Sequence, residues 1–159
     1  MTTLSVTQLG QRVGQEIAIG DWLEITQDRI DEFAESTGDR QWIHVDSARA
    51  QTESPFKTTI AHGFLTLSLV SMLLRNAIAI TGIRMAINYG LNRVRFATPV
   101  PTGSKVRGRF TLAEVEQTGG STQATWAVTV EREGEQKPAC VAEWLVRYYP
   151  AEPKSATES

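Results

Sequence analysis

Asp39 and His44 stand five residues apart in the run Gly38-Asp39-Arg40-Gln41-Trp42-Ile43-His44. Eighteen residues further on comes His62-Gly63, which opens the longest apolar run in the chain, and the sequence holds no other histidine. An imidazole titrates near neutrality, at ~6.5 when unperturbed, so it can take and return a proton at physiological pH. A carboxylate close by would favour the imidazolium and orient the ring. The free N–H groups at a helix start are donors without intrahelical partners, at the positive end of the dipole. With glycine there, a ligand can approach the backbone closely. Such donors can hold a carbonyl oxygen that becomes negative in a transition state. Ser68, one and a half turns after Gly63, adds a hydroxyl inside the apolar run. Each feature also has a plain reading. Asp39 can be a helix-end turn residue, His44 a satisfied surface histidine and Gly63 a junction chosen for backbone freedom. Ser68 can bond back to the carbonyl four residues earlier.

The elements that must position these groups follow from periodicity. Thr26 caps a predicted helix from about 27 to 37, with Asp28 in its first turn. Ile30, Phe33, Ala34 and Thr37 form one face, and Gly38 ends it. Asp39 therefore falls on the following loop. Trp42 and Ile43 should draw that loop inward and partly bury His44. Asp46 or Ser47 can cap a short helix through Ala48–Gln51, ended by Pro55. From Phe64 to Ile80 the chain is apolar on nearly all faces, which predicts one long helix surrounded by protein and closed by Gly82. The period then changes. Val106, Gly108, Phe110 and Leu112 alternate with polar residues; so do Ala124 to Val130 and Cys140 to Tyr148. Turns at Gly119-Gly120 and Glu133-Gly134 separate these runs. The expectation is an α+β fold, an antiparallel sheet wrapped around a long central helix. It makes one domain over residues 1–149, followed by a polar, disordered tail from 150 to 159.

Composition narrows the function. The chain has 159 residues, 41% hydrophobic and 21% charged, with a net charge of −2. Scattered arginines at that charge give no nucleic-acid footprint. A single cysteine, Cys140, rules out an internal disulfide and any multi-cysteine zinc site, and fits a reducing compartment. Arg75 and Asn76 interrupt the apolar run and argue against a membrane span, and Met1 to Gly20 has no export pattern. A cytoplasmic protein is the expectation. Nucleotide-binding glycine motifs, the nucleophile-elbow motif and the helical zinc-protease motif are absent.

These residues resemble the MaoC-like, (R)-specific enoyl-CoA hydratase family, whose pattern runs Gly-Asp-x-Asn-Pro-x-His and then His-Gly, an apolar residue and a helical serine. Gly38, Asp39 and His44 stand at the first spacing, and His62, Gly63, Phe64 and Ser68 at the second. The resemblance covers about Val13 to Tyr149. Gln41 replaces the Asn and Trp42 the Pro; this variant, with the stretch Asn88–Phe96, looks like the nodulation-protein-N-like branch. The resemblance implies a hot-dog fold and hydration of trans-2-enoyl thioesters, with Asp39 and His44 gripping one water. It implies that the Gly63 amide polarises the thioester carbonyl, that Ser68 hydrogen-bonds the acid–base pair, and that His62 belongs to the substrate-orienting set. It implies no metal and no cofactor beyond the coenzyme A or acyl-carrier-protein thioester itself, and a homodimer or a multiple of it. Arg93, Arg95 and Lys105 are candidates for the coenzyme A phosphates. Two other functions compete. Many hot-dog thioesterases carry a carboxylate in the central helix, whereas Gly63 to Gly82 contains no Asp or Glu. A non-catalytic acyl-thioester binding module would not need both Asp39 and His44.

Overall fold

In the computed structural model, which describes residues 1–152, an antiparallel sheet curls over a central helical segment. The chain opens with β1 (Thr2–Ser5), a 3-10 helix (Val6–Arg12) and the short strands β2 (Glu16–Ile19) and β3 (Leu23–Glu24). Helices α1 (Gln27–Thr37), α2 (Trp42–Val45), α3 (Ser47–Glu53), α4 (Gly63–Ser68) and α5 (Val70–Ala77) follow. The chain then forms β4 (Ile78–Thr81), β5 (Ile83–Arg95), β6 (Lys105–Thr118), β7 (Ser121–Arg132) and β8 (Cys140–Pro150). The main sheet runs β2–β6–β7–β8–β5, with β3 also on β6, and every pairing in it is antiparallel.

The alternation of the last three strands sets the core. Val106, Phe110 and Leu112 of β6, Trp126 and Val130 of β7, and Trp144, Val146 and Tyr148 of β8 are buried. Leu65, Leu69, Val70, Leu73 and Leu74 of the central helix are buried in the same cluster. The Trp126 indole N–H donates to the Tyr148 hydroxyl at 3.1 Å, so the two largest polar tips in this layer satisfy each other.

The expected helix from Phe64 to Ile80 differs from the observed one in three respects. It begins at Gly63, it is interrupted at Leu69, and it ends at Ala77. Leu69 keeps right-handed dihedrals, φ −70° and ψ −18°, so the axis continues from α4 into α5. Ile78–Thr81 is a strand, paired in parallel with Thr2–Ser5. Two isoleucines and a threonine favour extended backbone, and a partner strand from the far N-terminus supplies the hydrogen bonds that the helix would have supplied. Nor is the helix enclosed on all sides. Phe64 is 70% exposed, and Ser68, Arg75 and Asn76 are exposed with it. At the other end of the chain, β8 runs through Pro150 and the Ala151 N–H bonds the Gly82 carbonyl at 3.0 Å. The rest of the expected tail, 153–159, lies outside the described residues. No helix among the described residues is long and apolar enough to cross a membrane.

Candidate active site

Helix α1 delivers the carboxylate. The Thr26 hydroxyl caps it by accepting from Arg29 N–H, and Ile30 and Ala34 are buried. Gly38 turns the chain out of the helix at φ 79°, a conformation that glycine adopts without steric cost, and its N–H closes on the Ala34 carbonyl. Asp39 follows, exposed, its Oδ1 3.4 Å from the Gln41 amide. The chain re-enters as the one-turn helix α2, which the sequence pattern had left as loop. Trp42 occupies its first helical position, where a proline is also tolerated. The Arg49 guanidinium covers the Trp42 ring at 4.3 Å and so ties α2 to α3.

His44 sits at the inner side of α2, 7% exposed, as Trp42 and Ile43 imply. Its Nδ1 lies 2.7 Å from the Ile60 carbonyl, which can only accept, so Nδ1 carries the hydrogen. In the neutral ring the lone pair is then on Nε2. Burial pushes the His44 pKa below its ordinary 6.5. The Ile60 bond opposes that shift, the neighbouring His62 adds to it, and the Asp39 charge opposes it. Three groups outside the sequence motif hold this arrangement. Gln27 donates to the His44 carbonyl at 2.8 Å and accepts from the buried Thr59 hydroxyl. The extended segment Thr59–Ala61 bonds α2 on one side, through Ile60 N–H to the Ile43 carbonyl. On the other side it bonds the Val100–Thr102 segment. Only the fold brings these residues to His44.

His62 and Gly63 lie at the start of α4. The His62 ring is 3% exposed and stacks on His44, centroids 3.8 Å apart and planes 22° apart, with Phe33 of α1 also against it at 4.9 Å. One ligand atom each of Asp39, His44 and His62 lie within 4.8 Å of one another. That cluster is a poor cation site. In-plane lone pairs of two nearly parallel rings do not converge on one ion at the ~2 Å a metal requires.

Among the described residues the Gly63 N–H has no hydrogen-bond partner. Glycine is required here by close approach. A Cβ at this position would stand 2.9–3.0 Å from the Phe96 ring, which lies over the backbone. Phe64 meets Phe96 edge-on at 6.1 Å. The Ser68 hydroxyl donates to the Phe64 carbonyl at 2.6 Å, a bond to its own helix. The structure therefore gives Ser68 a different partner from the acid–base pair that the resemblance implies, because the carbonyl four residues back is always within reach of a helical serine. Ser68, Phe64, Leu67, Leu91, Val94 and Phe96 line an apolar hollow between α4 and β5. Arg93 and Arg95 stand exposed near the end of β5, whereas Lys105 opens β6 three strands away in the sheet, so the three candidate cations do not form one patch.

Fold and site together define a hot-dog protein with Asp39, His44 and His62 clustered at the N-terminal end of its central helix. The MaoC like domain matches residues 8–136. The chain is 52% identical over 145 residues to 3-hydroxyacyl-thioester dehydratase Z of Mycobacterium tuberculosis, covering 91% of this chain and 95% of that protein. It is 50% identical over 149 residues to Nodulation protein N of Rhizobium leguminosarum bv. viciae, covering 91% of each. Among solved structures, the unliganded R-hydratase PhaJ1 of Pseudomonas aeruginosa superposes with a TM-score of 0.70 at 25% identity over 92% of both chains. The (R)-hydratase of A. caviae gives 0.69 at 25%, over 87% of this chain and 96% of that one. The chain belongs to the MaoC-like dehydratase family and is an enzyme of the hydratase/dehydratase type.

Proposed function

We propose that the enzyme catalyses the reversible, (R)-specific addition of water across the 2,3 double bond of a trans-2-enoyl thioester carried on coenzyme A or acyl carrier protein. The single observation that carries this reading is the fixed tautomer of His44. The Ile60 carbonyl holds the proton on Nδ1, so the neutral ring offers its Nε2 lone pair as a base, and burial keeps the ring neutral. In the hydration direction His44 takes a proton from a water that Asp39 orients. The water oxygen bonds C3, the electron pair of the double bond moves through C2 onto the thioester oxygen, and the unpartnered Gly63 N–H stabilises that enolate. The proton taken from the water is then delivered to C2, which returns His44 to its neutral state and completes the (R)-3-hydroxyacyl thioester; dehydration runs the same steps backwards. No metal or further cofactor takes part. The relatives named as a 3-hydroxyacyl-thioester dehydratase and as (R)-hydratases support the substrate class and the handedness.

Crotonyl-CoA with the purified chain tests the reading. Loss of enoyl absorbance with formation of the (R)-3-hydroxy product is the expected result. Release of free thiol would make the protein a thioesterase. Binding without turnover across a series of enoyl chain lengths would leave only a thioester-binding module.

A further inference from the structure

His62 is nearly as inaccessible as the apolar core, yet an apolar side chain of its size would fill the space without the cost that this imidazole carries. Buried polar atoms are almost always paired. Here only one of two nitrogens is: Nε2 lies 2.9 Å from the main-chain carbonyl of Asp39, while Nδ1 is buried with no partner among the described residues. The Asp39 carbonyl can only accept, so Nε2 carries the hydrogen. One face of the ring lies on His44, 3.8 Å between centroids, and Phe33 packs on the same ring at 4.9 Å. The same side chain thus touches both members of the reacting pair, Asp39 through its backbone and His44 through its ring. Neither contact leaves His62 free to reach a substrate, since its exposure is 3%.

We infer that His62 is a positioning residue for the Asp39–His44 pair. It ties the aspartate loop down by a hydrogen bond and holds the His44 ring by face-to-face contact. Asp39 is exposed and follows a left-handed turn, and among the described residues its carboxylate accepts only a 3.4 Å contact from the Gln41 backbone N–H. The His62 bond to its carbonyl fastens the loop to the start of α4 and so fixes the carboxylate relative to the Gly63 amide. The inference rests on the reading of Asp39 and His44 as the acid–base pair. The charged groups that act on the His44 ring are His62 and Asp39. A second imidazole against His44 opposes a positive charge there.

Two substitutions in the full chain separate positioning from simple packing. His62→Leu fills the volume and cannot donate. His62→Gln carries an amide N–H at about the reach of Nε2 and can still bond the Asp39 carbonyl. With crotonyl-CoA, His62→Leu is expected to lose roughly 10²-fold in kcat, the scale of a misplaced catalytic group, with KM little changed. His62→Gln should recover most of that loss at comparable Tm. In both variants the imidazole beside His44 is gone, so the His44 titration should move to higher pH, read by nitrogen NMR of the ring without any substrate. In wild type the same spectra should show hydrogen on Nδ1 of His44, held there by the Ile60 carbonyl, and on Nε2 of His62. Wild-type kcat in His62→Leu, or equal losses in the two variants, overturns the inference. So does a His44 ring whose titration ignores the substitution. An inactive wild type counts against the assigned reaction alone, because the NMR arm still decides the positioning claim.

Discussion

At the scale of single residues, the site separates two tasks that sequence spacing alone had merged. Asp39 stays in contact with solvent, where a carboxylate remains hydrated and can meet an incoming water. His44 is withdrawn to 7% exposure, where its proton affinity falls. On the acid–base reading, Asp39→Asn and His44→Gln should each lower hydratase kcat by roughly 10²–10⁴-fold, the usual scale of lost proton transfer. Steady-state kinetics with crotonyl-CoA checks this, and near-wild-type turnover in either variant would remove the mechanism. The direction of the His44 shift carries a second expectation. A base must be neutral in the free enzyme, so the acid limb of kcat/KM should fall below pH 6.5 and disappear in His44→Gln. The same shift affects stability. Below about 6.5 the unfolded chain protonates His44 before the folded chain does, so the unfolded state binds more protons. Folding stability should therefore decline as pH falls through that region and on down to the lowered folded pKa. Chemical denaturation from pH 7.5 to 5 measures the decline, which should be smaller in His44→Gln.

At the scale of elements, what was legible depended on whether the determining contacts were local. Thr26, the Ile30–Ala34 face and Gly38 mark α1 from within its own sequence, and the alternations from Val106 to Tyr148 mark three strands together with the side each buries. The spacing of Asp39, His44 and His62 was readable along the chain, and the fold brings one ligand atom of each within 4.8 Å of the others. Ile78–Thr81 was not recognisable as a strand, since the same apolar run suits a helix and only the distant Thr2–Ser5 decides otherwise. Nor could spacing show that Gln27, Thr59 and the Ile60 carbonyl hold His44, or that Phe96 of the segment after β5 lies on the Gly63 backbone. That last contact makes Gly63 a test of element packing as well as of chemistry. Gly63→Ala should cost at least tenfold in kcat/KM, because a methyl 2.9–3.0 Å from the Phe96 ring forces either the ring or the start of α4 to move. The double variant Gly63→Ala/Phe96→Ala gives the methyl its room. Recovery of activity there assigns the loss to packing, and it would be a surprise if the double variant remained as impaired as the single one.

At the scale of the whole molecule, the chain leaves an apolar flank that a monomer has no reason to keep. Strand β5 is the outer strand of the main sheet, and long unpaired edges are a liability that soluble proteins normally blunt. Its register shifts against β8 at three places and it carries Arg84, Arg93 and Arg95, but its middle exposes an apolar row. Met85, Ile87, Tyr89 and Leu91 are 42%, 46%, 55% and 43% exposed, and Phe96 and Phe64 extend the band to the start of α4 at 41% and 70%. The helix face that the sequence pattern led one to expect buried lies open on this same side, between α4 and β5, next to the hollow that Leu67, Ser68 and Leu91 line. A second copy related by a twofold axis would cover all of it, since the same patch on both subunits is self-complementary. The site would then lie beside the subunit boundary, with part of the acyl path walled by the partner. The chain should therefore sediment at about twice its 17.6 kDa mass, or a multiple of that dimer. Charging the edge should undo it: Ile87→Lys with Leu91→Lys puts two like charges on the exposed apolar row of each copy. That variant should sediment as a monomer and lose most of its hydratase activity while keeping the far-UV spectrum of the parent. An active monomer at micromolar concentration, in either protein, would show that one chain completes the site alone.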